Sequence, residues 1–106
     1  MIPMRGELWW CETPDAGRPP CVVLTRDAAI PRLRRTLVAL ASTHVHGLAS
    51  EVVLEPGDDP VNRRCALALD VPTTVSIVHL TERIGRLSDE RVRQICAALA
   101  VAVDCR

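Results

Sequence analysis

Short apolar runs separated by turn-forming residues make up most of the chain before residue 88. Runs of this length that are rich in Val, Leu and Ile are typical of β-strands. The clearest alternation is at Cys65, Leu67 and Leu69, which would share one face of an extended segment. Proline and glycine interrupt the pattern in the intervening loops. The predicted strands are residues 5–12, 21–25, 36–42, 48–55, 64–70, 71–80 and 82–87, with loops at 13–20, 26–35, 43–47 and 56–60.

The hydrophobic period changes after Ser88. This serine is a predicted N-cap, and Asp89 and Glu90 follow it in the first turn, where the helix dipole favours acidic side chains. Apolar residues then recur at helical spacing, at Val92, Ile95, Cys96, Leu99 and Val103. A helical turn is also expected within residues 26–35, limited by Pro31. Many short strands with one terminal helix predict a mainly β, strongly bent sheet or small barrel, in a single domain spanning residues 1–106.

The composition narrows the chemistry that this domain can perform. Trp9 and Trp10 are the only aromatic residues, so the core must be built from aliphatic side chains. These two tryptophans face opposite sides of a strand, and we expect one in the core and the other packed at an interface or stacked on a ligand. All 13 basic residues are arginines, which bind phosphate well but are poor general bases. The net charge is zero, so any nucleic-acid site must be a local basic patch.

The five cysteines are odd in number and lack Cys-x-x-Cys spacing, which favours reduced thiols in a cytoplasmic protein. Most of them are expected to act as small core residues. No secretory leader is recognised, and the longest apolar stretch, residues 95–103, is too short to cross a bilayer. We therefore expect neither a membrane role nor a metal or other cofactor.

Three ordered motifs carry a resemblance to a known family. Residues 5–10 read RGELWW, residues 17–27 read GRPPCVVLTRD, and residues 37–54 read LVALASTHVHGLASEVVL. Together with RIGRLS at residues 83–88, they resemble the MazF/PemK family of bacterial toxins in order and spacing from residue 5 to about residue 103. Each motif alone is common, and the ordered set is the specific signal.

The resemblance implies an SH3-like small barrel of the CcdB/MazF type that forms a homodimer. It implies metal-independent cleavage of single-stranded RNA, in which the 2′-hydroxyl attacks the adjacent phosphate and leaves 2′,3′-cyclic phosphate and 5′-hydroxyl ends. The family uses an arginine of an Arg-Pro motif and a hydroxyl at the end of the third strand. Those roles fall on Arg18, Ser42 and Thr43, although an ungapped alignment puts Pro19 at the arginine position and Arg18 one residue early.

Further candidate RNA contacts lie in loops and at strand ends. His44 and His46 could form a metal pair or act as acid–base and RNA contacts, and the second interpretation is favoured because no third ligand is near in sequence. The arginines of residues 26–35 would attract RNA and an acidic antitoxin, or they are a solvated loop. The predicted RNA-binding residues are His44, His46, Arg26, Arg32, Arg34, Arg35 and Asp70, with Arg63 and Arg64 as a smaller cluster.

The expected function is thus an endoribonuclease toxin neutralised by a cognate MazE-like antitoxin. Two alternatives stay open at this point, because a fold does not fix a function. One is a CcdB-like toxin that binds DNA gyrase without doing chemistry, and the other is a degenerate family member that only binds antitoxin. The general base and the RNA sequence preference, which would depend on loops 13–20, 26–35 and 56–64, are not identified by the sequence.

Overall fold

The architecture is described from a computed structural model that covers residues 1–15 and 17–105. Ala16, inside the predicted loop 13–20, lies outside the described residues. The strands are β1 (Glu7–Cys11), β2 (Pro20–Val23), β3 (Arg35–Ser42), β4 (Glu51–Leu54), β5 (Cys65–Ala68), β6 (Thr73–Ser76) and β7 (Leu80–Arg86). The helices are α1 (Ile30–Leu33) and α2 (Asp89–Ala102).

The strands form one seven-stranded antiparallel sheet in the order β4-β5-β3-β2-β1-β7, with β6 also paired to β3. β3 bends the sheet because it has three partners. Its first half pairs with β6, its middle with β2, and its last two residues, Ala41 and Ser42, with β5. The mainly β prediction with a C-terminal helix is confirmed, and within the described residues β4, β6 and β7 each pair with one strand and are the edges of the barrel-like sheet.

Alternation along the strands produces two hydrophobic cores. Leu8 belongs to the core under α2, whereas its neighbour Trp9 belongs to the core on the opposite face of the sheet. The first core also contains Ile95 and Ala98 of α2, and the second contains Ile30 of α1. The prediction that one tryptophan is buried is confirmed by Trp9.

The helix prediction after Ser88 is confirmed, since the Ser88 hydroxyl accepts a hydrogen bond from the Arg91 backbone N–H at 3.2 Å. The predicted apolar face was wrong at two positions. Cys96 is exposed, and Val103 lies exposed at the C-cap. Ala98 is buried instead, because the helix packs closely on the sheet through a small side chain.

Two predicted strands were too long. Residues 48–50 are not a strand, because the Glu51 carboxylate accepts hydrogen bonds from the backbone N–H groups of His46 (3.0 Å) and Leu48 (3.2 Å) and holds a turn there. The 71–80 segment is divided into β6, a short 3-10 helix at Ile77–His79 and the first residue of β7. The Ser76 hydroxyl accepts the Val78 N–H at this division, which is the capping role that favours serine outside strands.

The Arg-Gly-Glu motif at residues 5–7 leads into β1 and has a structural role in packing and hydrogen bonding. Gly6 has a φ of +86°, and a Cβ there would lie 3.1 Å from Val92 of α2. Glu7 is buried and accepts hydrogen bonds from the Met4 N–H (2.7 Å), the Trp9 indole (3.1 Å) and Arg83 Nε (2.6 Å). Burial alone would raise the pKa of Glu7, but these hydrogen bonds and the Arg83 charge outweigh it and lower the pKa below its ordinary value of 4.5.

This shift predicts a loss of stability in acid. Above pH 4.5, Glu7 is ionised in both folded and unfolded chains, and its contribution to stability is complete. As the pH falls from 4.5 through the lower folded pKa, the unfolded chain binds the proton first and the folded state loses that stabilisation. In urea unfolding at a series of pH values, the free energy of unfolding should fall less between neutral and acidic pH for Glu7→Gln than for the unsubstituted protein. An identical acid slope in both would contradict the assignment.

Candidate active site

A cavity of about 330 Å³ opens where the inner face of the sheet extends beyond α2. The core under α2 contains Leu8 of β1 and Val22 of β2, which are paired with each other. The next pair on the same face of these strands, Trp10 and Pro20, borders the cavity. The wall from β7 is Ile84. The lining residues are Trp10, Pro20, Ala41, Ser42, Thr43, Pro60, Val61, Asn62, Arg63, Cys65 and Ile84. The cavity is therefore an uncovered continuation of the hydrophobic core with polar groups at one end.

Arg18 contacts Trp10 of the cavity wall and itself borders a second, more open hollow with Glu12 and Gly17. Its guanidinium carbon is 4.7 Å from the centroid of the Trp10 ring, within the range of a cation–π contact. Two carboxylates flank it, with Arg18 Nε 3.4 Å from Glu12 Oε2 and Arg18 Nη2 3.7 Å from Glu82 Oε1. A planar cation held in this position is suited to binding a phosphate beside a base that enters the cavity.

Pro19, which takes the arginine position in an ungapped alignment, has a backbone role next to β2. The Pro19 carbonyl accepts the Cys11 N–H at 2.9 Å, which continues the β1–β2 ladder beyond Trp10 and Pro20. Pro20 lines the cavity, and Arg18, which precedes β2 by two residues, contacts the neighbouring cavity residue Trp10.

Ser42 and Thr43 both border the cavity, at the end of β3. The Ser42 hydroxyl accepts a hydrogen bond from the His44 backbone N–H at 3.1 Å, which fixes the oxygen while leaving its own proton available to donate. The structure thus brings the three predicted catalytic side chains, Arg18, Ser42 and Thr43, to one region, with Arg18 bordering it through Trp10.

The two histidines follow in an irregular loop and not in a strand. His44 and His46 are both exposed, neither lines the cavity, and their backbones are fixed by Ser42 and Glu51. The loop predicted at residues 43–47 is therefore confirmed. Across residues 1–15 and 17–105, no group of three or more His, Cys, Asp or Glu side chains could hold a metal ion.

The remaining predicted RNA contacts lie elsewhere. Arg35 begins β3 and Ser42 ends it, which separates them by roughly 23 Å at the usual rise of a strand. Arg32 and Arg34 belong to the α1 region at that same distant end, and Arg26 precedes it. Asp70 accepts a hydrogen bond from the Ser50 hydroxyl and does not line the cavity. These residues are not brought together with Arg18 and Ser42.

Residues 55–64, the cover loop, form one side of the cavity and are fixed at two points. Asp59 is buried and forms a bidentate ion pair with Arg91 of α2, with both N–O distances 3.1 Å. It also accepts the Glu55 N–H at 2.9 Å. Hydrogen bonding to Asp59 raises the pKa of Arg91 above its ordinary value, against the opposing effect of burial. The loop that carries Asn62 and Arg63 is therefore held rigidly against the helix.

The cover loop is fixed a second time where Pro60 packs against Gly85 of β7. This close contact explains the glycine of the Arg-Ile-Gly-Arg motif at residues 83–86. A Cβ on Gly85 would lie 2.8 Å from Pro60 Cβ and 3.0 Å from Pro60 Cγ, so only glycine allows the cover loop to approach β7 this closely. We expect Gly85→Ala to displace the loop and to lower the free energy of unfolding by about 1–3 kcal/mol, as for overpacked sites. Urea unfolding measures this loss.

A double substitution provides the control for that prediction. Pro60→Gly removes both contacting carbons, so Gly85→Ala should cost less stability in the Pro60→Gly background than in the unsubstituted chain. Equal costs in both backgrounds would show that the contact with Pro60 is not the cause.

Two partners of Arg18 and two cavity residues were not, or were only partly, identified from the sequence. Glu12 and Glu82 gave no signal, because isolated strand carboxylates are ordinarily solvated and their pairing with Arg18 depends on the β1–β7 register. Trp10 was recognised only as one of two alternatives. Arg63 of the second basic cluster lines the cavity, whereas its neighbour Arg64 forms an ion pair with Glu55 at 3.2 Å.

The thiols are reduced, as predicted, and three of the five are buried. Cys11 and Cys21 belong to the second core, and burial raises the pKa of each thiol. Cys65 borders the cavity, where burial and then the charges of Asp59 and Glu55 raise its pKa. A thiol with a raised pKa is a weak nucleophile, so Cys65 acts as a small apolar wall residue.

Both the sequence and the fold are similar to those of known proteins. The family model described as the PemK-like, MazF-like toxin of type II toxin–antitoxin systems matches residues 4–103. The chain is 62% identical over 104 residues to the probable endoribonuclease MazF5 of Mycobacterium tuberculosis, covering 98% of this chain and 95% of that protein.

Solved structures agree with this comparison. The Mycobacterium tuberculosis toxin MazF-mt6 superimposes with a TM-score of 0.85 at 25% identity, covering 94% of this chain and 98% of that one. A mycobacterial endoribonuclease in complex with its cognate antitoxin shares the fold with a TM-score of 0.87 at 20% identity, covering 98% of this chain and 97% of that one.

Proposed function

Because the chain belongs to the PemK-like, MazF-like family of toxins from type II toxin–antitoxin systems, we propose that it is an endoribonuclease that cuts single-stranded RNA without a metal. One observation supports this assignment most directly. The Arg18 guanidinium is stacked on Trp10, and Trp10 lines a cavity whose wall also includes Ser42 and Thr43. That arrangement provides phosphate binding next to a space for a nucleobase.

The cavity has the properties expected of a nucleotide subsite. Its apolar wall of Trp10, Pro20 and Ile84 offers a surface for base stacking, which recognises unpaired bases and not the interior of a duplex. Asn62 and Arg63 of the cover loop can hydrogen bond to base edges or to a second phosphate. Single-stranded RNA therefore fits the site better than double-stranded RNA.

The proposed reaction is an internal phosphoryl transfer. The 2′-oxygen loses its proton and bonds to the adjacent phosphorus, and the bond from phosphorus to the 5′-oxygen breaks. Arg18 neutralises the negative charge that develops on the equatorial oxygens, and Ser42 or Thr43 donates a hydrogen bond to one of them. The 5′-oxygen takes up a proton, so the products are a 2′,3′-cyclic phosphate and a 5′-hydroxyl end.

Regulation follows from the family. The chain is proposed to act in the cytoplasm as a homodimer and to be neutralised by a cognate MazE-like antitoxin, as family membership implies. An acidic antitoxin segment would bind arginines such as Arg18 and Arg63 in place of RNA. No helix among residues 1–15 and 17–105 is long and apolar enough to cross a membrane.

The test is cleavage of a long single-stranded RNA by antitoxin-free protein in EDTA, with the cut ends mapped. Discrete cuts that leave 5′-hydroxyl ends are expected. A matched RNA with a single 2′-deoxy nucleotide at the cut site should stay intact, since it lacks the attacking oxygen. Intact RNA in both reactions would contradict the proposal, and inhibition of purified DNA gyrase by the same sample would then favour the CcdB-like alternative.

A further inference from the structure

The proposed reaction needs a group that accepts the proton of the 2′-hydroxyl. The guanidinium of Arg18 offers only hydrogen-bond donors and is a poor proton acceptor. Ser42 and Thr43 are hydroxyls that serve better as donors to phosphate. His44 and the two carboxylates beside Arg18 all lie outside the cavity lining, and of these groups the carboxylates are the ones in ionic contact with Arg18. The acceptor is therefore to be sought among the carboxylates beside Arg18.

Strand register distinguishes the two carboxylates that flank Arg18. Glu82 of β7 is paired directly with Trp10, so the two side chains lie on the same face of the sheet. Ile84, two residues further along β7, lies on that face and lines the cavity with Trp10. Glu12 lies instead beside a second, open hollow that it shares with Thr13, Pro14, Gly17 and Arg18. Arg18 thus borders the second hollow with Glu12, whereas Glu82 is the carboxylate that is paired with a cavity-lining residue, Trp10.

The contact between Glu82 and Arg18 leaves the carboxylate available. Their closest atoms are 3.7 Å apart, too far for a hydrogen bond, and the Glu82 side chain is 67% exposed. Glu12 is held more closely, at 3.4 Å from Arg18 Nε. The charge of Arg18 would lie between Glu82 and a bound phosphate and reduce the repulsion between those two anions.

We propose that Glu82 is the general base of this chain, an inference that rests on the proposed ribonuclease function. In the attacking step the Glu82 carboxylate takes the proton from the 2′-hydroxyl while the bond from the 2′-oxygen to phosphorus forms. The bond from phosphorus to the 5′-oxygen breaks, and the proton on Glu82 is later released to water. Glu12 is a positioning residue that holds Arg18 from the other side.

The test compares three glutamine substitutions under single-turnover conditions with the RNA that the unsubstituted protein cuts. Glu82→Gln should lower the cleavage rate by about 10²–10³-fold, the range of a lost general base, and should abolish the rise of the rate with pH on the acidic side. Affinity for the matched 2′-deoxy RNA should be unchanged or higher, since a negative charge is removed. Glu82→Asp should keep the pH-dependent rise at a reduced rate.

Glu12→Gln and Glu90→Gln are the comparisons. Glu90 is an exposed carboxylate paired with Arg93 on α2, and its substitution should leave the rate unchanged. Glu12→Gln should keep the acidic rise of the rate profile. A Glu82→Gln protein that keeps the rate and the pH profile, or cuts faster, overturns the proposal, as does loss of the acidic rise in Glu12→Gln alone. Absence of cleavage by the unsubstituted protein would instead overturn the ribonuclease function itself.

Discussion

Arg18→Ala is expected to lower the rate of RNA cleavage by about 10²–10³-fold, the usual loss when one preorganised charge donor is removed from a transition state. Arg18 is partly exposed and packs on Trp10 without entering the core, so the protein should still fold. The measurement is single-turnover cleavage with circular dichroism as a check on folding. Arg18→Lys retains the charge but not the planar fork of the guanidinium. Its cleavage rate should lie between the rates of the unsubstituted protein and Arg18→Ala.

Arg93→Ala is the matched control, because Arg93 is an exposed arginine of α2 outside the cavity. It should leave cleavage unchanged. Full activity in Arg18→Ala would exclude Arg18 from the reaction and would move the phosphate-binding role to Arg63, the arginine in the cavity lining. The same measurement therefore decides whether the Arg-Pro-Pro tripeptide replaces the family's Arg-Pro.

The largest expected effect on stability is that of Arg91→Ala. The Asp59 side chain is only 2% exposed, and without Arg91 it would be left as a buried carboxylate that retains only the Glu55 N–H. Breaking a buried pair in this way costs about 3–5 kcal/mol, which is a large part of the stability of a small domain. Urea unfolding at neutral pH measures the loss.

The corresponding exposed pair provides the comparison. Glu90 and Arg93 lie on the same helix at 2.7 Å but are exposed, and Arg93→Ala should change the unfolding free energy by less than about 0.5 kcal/mol. If both arginine substitutions had the same small effect, the cover loop would not depend on its ion pair with α2. A local displacement of the loop would also change cleavage, because Asn62 and Arg63 depend on it for their position.

Much of the fold could be predicted from the sequence because local patterns determine it. β-branched runs, turn residues and the Ser88 cap give the number and order of most elements. The errors fall where a side chain bonds to backbone, as Glu51 does with the loop before β4, because such a bond has no periodic signature. The apolar face of α2 was misjudged at Cys96 because helix burial depends on how closely the sheet lies, which periodicity does not give.

The site was less predictable for a related reason. Arg18, Ser42 and Thr43 came from motif resemblance, and their grouping beside one cavity agrees with it. Whether a basic cluster lies near them depends on which end of β3 carries it, and the arginines around α1 lie at the other end. Glu82 is joined to Arg18 only through a strand pair of residues distant in the chain, which no local pattern reveals.

The pairing of Trp10 with Glu82 also constrains the order in which activity can arise during protein synthesis. The cavity takes walls from β1 and from β7, so a growing chain that ends before β7 has Arg18 and Trp10 but neither Ile84 nor Glu82. Contacts between such distant segments form late, after the chain closes a long loop. The cavity wall is therefore incomplete in a nascent chain until β7 has left the ribosome and paired with β1.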